Sequence, residues 1–591
     1  MPLIKTRPIN PKLIWQLEHS CLDTALHPLM ARLFSSRGVV SVLDIDTELK
    51  NLFPPEQLLG IDNAANLLIS AVLENKSICI VADYDCDGAS ACALAIRGLK
   101  MLGAQRVNYL VPDRVIDGYG LTPEISRRVA ASGADVLITV DNGIASIEGV
   151  QVAKDLGLQV LITDHHLPAQ SLPLADAIVN PNQPGCTFPS KNLSGVGVMF
   201  YVLMRVRALM REQGLFDDTK RPQDIPAFIP QLQPKLDTLL PLVALGSVAD
   251  VVNLDANNRK LVEQGLRRMR VLAMPIGMRC LFEVCEKDPA KATAQDLGFF
   301  IGPRINAAGR LSDMTIGIEC LISDSYEKAS HLASELHQIN VQRRSVEAEM
   351  LDGAWEIAAE KSLKQSNQNH ALCVFDPSFH EGVVGIVASR IKERYQMPTF
   401  VFAPSQMNTE LGSTPIIKGS GRSVVGFHLR DALDLISKQH PNVLIKFGGH
   451  AMAAGCTLLE KDFQIFESAL SLVAKSWLGE TAGIQEILTD GELEPEYFNI
   501  QTVKLLQSQV WGQGFPAPLF CNSAQILKQR IVGEKHLSLR VMIYNKEFDA
   551  IWFNHTQSLE GLVELVYKIE IDTWSGSQKL KLYIESARRL S

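Results

Sequence analysis

The sequence predicts an α/β protein: a parallel-sheet domain, a second and smaller α/β domain joined to it by a long helix, and a C-terminal β-barrel. Three observations predict it. From about residue 77, short β-rich apolar runs alternate with longer helical patterns; residues 326–365 keep apolar residues at helical spacing over many turns; after about residue 485 the pattern becomes short strands separated by turns. At 591 residues the chain is too long for one core, and length alone argues for roughly three to five domains.

The chain begins with an N-terminal segment, residues 1–45. The first domain is expected over residues 46–325. Its runs "SICIVA", "VNYLVP", "DVLITV", "LQVLIT" and "ADAIVN" are separated mostly by amphipathic stretches, the signature of βαβ units around a sheet covered on both faces. Asp83, Asp113, Asp141, Asp164 and Asn180 sit at or just past the carboxyl ends of these runs. Ligands bind at that edge of an open parallel sheet, so residues far apart in sequence meet in one crevice. A linking helix follows over residues 326–365, and the polar piece "KSLKQSNQNH" marks its end. The second domain, residues 366–475, opens with "ALCVFD" and holds the glycine-rich pieces "KGSGRS" and "FGGHAMAAG". Residues 485–591, with "HLSLRVMIY", "EFDAIWF", "YKIEIDTW" and "KLKLYIESA", read as a small OB-like barrel suited to nucleic acid.

Composition excludes several classes. Hydrophobic residues make up 46% and charged residues 21% of the chain, as in ordinary globular proteins, and no repeat or low-complexity segment appears. "MPLIKTRPINPK" lacks a signal-type apolar core, and apolar stretches such as "LLPLVALGSVA" are too short to span a bilayer. A cytoplasmic protein without membrane contact is expected. The eleven cysteines include no C-x-x-C pair, which argues against a zinc ribbon or a disulfide framework. A net charge of −8 leaves room only for a local basic groove.

The acidic edge carries the chemistry. "VADYDCDGAS" places Asp83, Asp85 and Asp87 within five residues directly after a buried strand; Asp141, Asp164 and, in "LGSVADVV", Asp250 bring six carboxylates towards one cleft. Two unit charges about 4 Å apart repel by roughly 4 kcal/mol at an effective dielectric near 20, so the cluster needs cations or protons. Oxygen ligands with one or two imidazoles suit Mg²⁺ or Mn²⁺ better than zinc. Two such ions would clamp the attacking and leaving oxygens of a phosphoryl displacement. A single aspartate after a strand is commonly a helix N-cap or turn former; the D-x-D-x-D cluster together with "TDHH" is not so easily explained.

"DYDCDG", "VPDRVIDGYGL", "TVDNG", "TDHH", "VNPNQPGCTFPSKNLSGVGV", "GSVADVV", "IGPRINAAGRL", "GSGRS" and "GGHAMAAG" stand in the order found in the DHH phosphoesterase superfamily. Within it, the chain resembles the RecJ family of bacterial single-strand-specific 5′→3′ DNA exonucleases. The resemblance runs from about residue 45 to 460 and is looser in the barrel. It implies that Asp83, Asp85, Asp87, Asp141, His165 and Asp250 ligate two Mn²⁺ or Mg²⁺ ions, with Asp141 bridging. His166 would lie against the scissile phosphate, Asp164 would orient the histidines, and metal-bound water would be the nucleophile. Arg114, Ser420 and Arg422 would hold the 5′ phosphate, and Arg304 and Arg310 would line the channel. Tyr119, Asn306 and His450 fall at further substrate-binding positions, Tyr119 stacking on a base and His450 touching the nucleic acid backbone. Cys86 occupies a variable slot and is read as packing.

The resemblance further implies release of 5′-mononucleotides, roles in recombination and in DNA and mismatch repair, a monomer, and a single-strand-binding protein and a helicase as partners. The rivals are a DHH-family enzyme acting on oligoribonucleotides or small phosphate esters, and a catalytically silent DNA-binding replication scaffold. Chain length and "IGPRINAAGRL" count against the first; retention of every motif aspartate counts against the second.

Overall fold

A computed structural model describes residues 3–19, 26–113, 117–217, 221–222, 225–364, 370–405, 415–479, 486–572 and 577–590. Five strands of the first domain, β2 (Ile78–Ala82), β3 (Val107–Leu110), β4 (Val136–Val140), β5 (Gln159–Thr163) and β6 (Ala177–Val179), form an all-parallel sheet. They are preceded in the chain by a short β1 (Leu3–Thr6). Every residue of β2 and β4 is buried, because helices cover both faces. Alternation divides the side chains: Ile78, Ile80, Val136 and Ile138 join the main core, while Cys79, Val81 and Leu137 pack with Ile125, Val129 and Val150 on the other face.

The strand order is β3-β2-β4-β5-β6. Connections run outward in one direction from β2 and in the other from β4, so the order reverses between those two strands. Their carboxyl ends are therefore the walls of the crevice where an open parallel sheet holds its ligand. The loops that leave them begin with Asp83 and Asp141.

The helix Tyr326–Lys364 has 39 residues, about 60 Å at the α-helical rise. Ala329, Ala333 and Leu336 near its start belong to the main core; Met350, Ala354 and Ala358 belong to the second domain's core, beside Val387 and Val401. One helix thus contributes to both cores and fixes the spacing of the two domains. The second domain holds β7 (Leu372–Phe375), β8 (Thr399–Pro404), β9 (Ile416–Arg422), β10 (Lys446–Gly449) and β11 (Ala453–Leu459), in the order β10-β11-β9-β8-β7. The C-terminal strands β13 (Phe520–Val532), β14 (His536–Ile543), β15 (Lys546–Trp552), β16 (Leu562–Asp572) and β17 (Lys579–Arg589) close into the expected barrel, which has five strands ordered β13-β14-β15-β17-β16. No helix among the described residues is long and apolar enough to cross a membrane.

The first and last parts of the chain are built together, which the sequence does not reveal. β1 pairs in parallel with β12 (Glu486–Thr489), Leu3 opposite Glu486. Phe34 packs with Trp511 and Phe515. Arg37 makes two parallel hydrogen bonds to Asp490, at 2.7 and 2.9 Å, with its guanidinium over the Trp511 ring. Their side chains are 1% and 2% exposed. The reason such a pairing escapes a sequence reading is that its partners lie more than 450 residues apart and neither leaves a local periodic signature.

Removing one member of a buried ion pair strands the other's charge, at a cost of about 3–5 kcal/mol. Asp490→Ala is therefore expected to lower the unfolding free energy read from urea titration by about 3–5 kcal/mol. The double variant R37M/D490L should recover only part of it, because Arg7, Ser36 and the Leu519 N–H also use Asp490. Equal stability of D490A and wild type would remove this pair from the account.

Candidate metal centre and strand cleft

The first acidic loop is shaped by the helix it starts. Asp85 is the N-cap of the helix Cys86–Met101, and its Oδ1 accepts the N–H groups of Asp87 and Gly88. Asp85 thus has the ordinary capping role of a helix start as well as a place in the acidic cluster. Asp87, fully buried, accepts from the N–H of Gly195 at 2.6 Å and of Val196 at 3.1 Å. These are the first residues of the helix Gly195–Glu212, whose positive end faces the carboxylate. A Cβ on Gly195 would lie 2.4 Å from that of Asp141, and one on Gly246 would lie 2.4 Å from Asp87 Oδ1. Both positions need glycine because two helices close directly onto the acids.

Asp141 leaves β4 with φ +63°, a left-handed conformation rare outside glycine and asparagine. Beside it, the buried Asn142 donates to the carbonyls of Val81 and Val140, tying the ends of β2 and β4 together. At the end of β5, Asp164 Oδ1 accepts from the N–H groups of His165 and His166 and from His166 Nδ1 at 2.8 Å; Oδ2 accepts from Ile144 N–H. From below, Asn180 donates to the His166 carbonyl and Asn182 to that of His165. His165 Nε2 is aimed by this scaffold to 3.1 Å from Asp141 Oδ1 and 3.4 Å from Asp250 Oδ2.

Donor atoms of three overlapping triads come within 4.8 Å of one another: Asp83, Asp85 and Asp141; Asp87, His165 and Asp250; and Asp141, His165 and His166. Asp141 and His165 each belong to two triads, the arrangement a pair of neighbouring cations requires. All six residues expected as ligands are thus brought together. Asp141 Oδ1 and His165 Nε2 are buried without a hydrogen bond, and both are ligand types for a hard divalent cation. The residues present fit two Mn²⁺ or Mg²⁺ ions.

Electrostatics say the same. Burial first, and then Asp85, pushes Asp87 up to about 7. Burial and the surrounding aspartates raise Asp141 and Asp250 well above the ordinary carboxylate range. Burial and the neighbouring His166 lower His165 to about 4, leaving it neutral and able to bind a metal. Burial is the largest influence on Asp164 and His166 and opposes charge on both, but their shared hydrogen bond, their mutual attraction and the neighbouring groups together outweigh it: Asp164 falls below its usual value and His166 rises to about 9. The centre therefore holds strained carboxylates beside one strongly stabilised imidazolium.

The second domain leans over this centre. His450, in the turn between β10 and β11, stacks near-parallel on His166 with ring centroids 6.3 Å apart. Its N–H donates to Ala453 O, and Ala453 pairs with Arg422 across β11 and β9. Arg422 donates to Ser420 Oγ, and it lines a cavity of about 310 Å³ with Arg390, Ser389, Gly385, Ile386 and Glu393, whose carboxylate lies 3.5 Å from Arg390 Nη1. Gly385 and Ile386 lie in the first turn of the helix Val384–Tyr395, so a cation side chain and the positive end of a helix share this cavity. A side chain at Gly385 would meet Arg422 Nη2 at 2.8 Å.

The remaining expected residues divide. Tyr119 is half exposed, with its hydroxyl 3.4 Å from the His166 ring nitrogens and its ring edge-on to Tyr84 and His166. Arg310 reaches across to the Gly382 carbonyl in the second domain. Arg304 is engaged by Phe300 O and by His337 on the long helix. Asn306 accepts the N–H of Cys86. Cys86 itself is buried in the main core. Arg114 lies outside the described residues. Sequence reasoning missed Asn142, Asn182, Arg390 and Gly385; only the asparagines' place beside the motifs "TVDNG" and "VNPN" signalled them.

Three family matches cover most of the chain: the DHH family N-terminal domain over residues 77–227, the DHHA1 domain over 367–476 and the RecJ OB domain over 489–586. The single-stranded-DNA-specific exonuclease RecJ of Salmonella typhimurium is 43% identical over 572 residues, 95% of this chain and 96% of that protein. The Escherichia coli protein of the same name is 42% identical over 577 residues, 96% of this chain and 97% of its own. The crystal structure of RecJ from Thermus thermophilus in complex with Mn²⁺ superposes with a TM-score of 0.79 at 28% identity, covering 100% of this chain and 79% of that one. The same protein in complex with Mg²⁺ gives 0.74 at 27%, covering 100% and 78%. With all three domains matched, and such identity along nearly the full length, the chain belongs to the RecJ family.

Proposed function

We propose that the protein is a single-stranded-DNA-specific exonuclease that hydrolyses phosphodiester bonds from the 5′ end and releases 5′-mononucleotides. The observation that carries this reading is the convergence of Asp83, Asp85, Asp87, Asp141, His165 and Asp250 on one crevice, with His450 of the second domain directly above it. A crevice roofed in this way suits one extended strand better than a duplex. The names of the 42–43% identical relatives support the substrate.

Asp83, Asp85 and Asp141 would hold one Mn²⁺ or Mg²⁺ ion and Asp87, His165 and Asp250 the other, with Asp141 between them. When bound, such ions neutralise charge on the phosphoryl oxygens and lower the pKa of water. The chain's residues do the rest. His166, raised to about 9 by the hydrogen bond and charge of Asp164 and by Asp83 and Asp85, would offer Nε2–H to an oxygen of the scissile phosphate. Asp164, Asn180 and Asn182 fix where that imidazolium and His165 point. Tyr119 offers a ring to a base beside the centre.

Polarity would come from the second domain. Arg422, which donates to Ser420 Oγ, lines with Arg390 a cavity that would take a terminal phosphate, since a guanidinium gives two parallel hydrogen bonds to phosphate oxygens. The barrel would extend the electrostatic track for the strand. The wider setting we propose is recombination and DNA repair, mismatch repair included, in the cytoplasm, as a monomer supplied with strands by a helicase and a single-strand-binding protein.

Asp141→Ala should abolish hydrolysis of end-labelled single-stranded DNA, a loss of about a thousandfold or more, while strand binding persists and the thermal midpoint in EDTA rises as repulsion is relieved. Activity retained at saturating Mn²⁺ would refute the ligand assignment. Arg422→Ala should reduce use of 5′-phosphorylated ends by about 10- to 100-fold, and use of 5′-hydroxyl ends far less. Equal losses on both ends would refute the phosphate pocket.

A further inference from the structure

We propose that Asn306 is a positioning residue that keeps the first acidic loop in the shape its cations need, rather than a contact to the strand. The proposal rests on the reading that the cleft holds divalent cations. The helix Gly302–Leu311 lies across the loop. At Gly309 a Cβ would sit 1.9 Å from the Tyr84 carbonyl oxygen, so the helix is pressed against the loop's backbone. One turn earlier, Asn306 Oδ1 accepts the N–H of Cys86 at 2.8 Å, between residues 220 positions apart. At the other end of the contact, Arg310 donates to Gly382 O of the second domain.

The consequence follows from the needs of a helix start. The opening N–H groups of a helix have no partner within it. In the helix Cys86–Met101, the N–H groups of Asp87 and Gly88 are taken by Asp85 Oδ1, and that of Cys86 by Asn306. Cys86 is 1% exposed, so water does not serve it. Without Asn306, the acceptor nearest in sequence is the Asp85 carboxylate, already committed to two donors. A third donor would turn Asp85 away from Asp83 and Asp141, with which it shares a triad. Asn306 thus leaves Asp85 free to face the cleft, an indirect role that sequence motifs do not distinguish from substrate contact.

The test compares the metal-stripped full chain as wild type, Asn306→Ala and Asn306→Asp. Isothermal titration with Mn²⁺ reads metal affinity, and fluorescence anisotropy with a 5′-phosphorylated oligothymidylate in EDTA reads strand affinity. N306A should weaken Mn²⁺ binding by about 10- to 100-fold, the usual effect of losing a group that holds a ligand, and leave strand affinity in EDTA within about twofold. N306D, of the same shape and with the same acceptor, should keep Mn²⁺ affinity within about threefold of wild type. Loss of strand affinity with unchanged Mn²⁺ binding would make Asn306 a strand contact and overturn the proposal. So would an N306D as impaired as N306A. A wild type that binds no Mn²⁺ would overturn the metal reading itself, and is told apart from the other outcomes by needing no variant.

Discussion

Mutual repulsion among buried carboxylates is the constraint around which this protein is arranged. Asp87, Asp141 and Asp250 all sit where both burial and neighbouring aspartates penalise their charge. Folding tolerates them because other forces fix the backbone. The end of β2 is tied to that of β4 by Asn142, the positive end of the helix Gly195–Glu212 rests on Asp87, and Asp164 binds its two histidines. The scaffold is stable enough to hold like charges together, and the charge left uncompensated is what a pair of cations would satisfy. Site and fold are then opposed in energy, as is common where stability has been given up for function.

The site is a product of topology more than of any one loop. Strand order reverses between β2 and β4, which opens the crevice; β5 ends beside it and supplies His165 and His166. The long helix, shared by both cores, then sets the second domain at the distance that stacks His450 on His166. Arg422 stands on β9 beside β11, and His450 lies in the turn between β10 and β11, so one antiparallel sheet carries both the Arg422 cavity and the residue stacked on His166.

Much of this was legible in the sequence, and for physical reasons. Buried parallel strands are continuous apolar runs, and ligands follow their carboxyl ends, so the sequence alone puts Asp83, Asp141 and the "TDHH" stretch in one crevice. The 3.6-residue period of the linking helix and the two-residue period of the barrel are equally local signals. What stayed hidden was what depends on distant partners. The Arg37–Asp490 pair, the parallel pairing of β1 with β12, and the capping of Cys86 by Asn306 join segments hundreds of residues apart. Glycines were legible as glycines but not as spaces: only the packing tells that Gly195 and Gly246 make room for carboxylates, and Gly385 for a guanidinium.

The central claim is that the acidic crevice is a two-cation centre, and anomalous diffraction at the manganese edge from crystals grown with Mn²⁺ tests it most directly. The account predicts two peaks about 3.5–4 Å apart, with Asp141 between them and His165 on one. A single peak, or manganese bound away from Asp141 and His165, would contradict it.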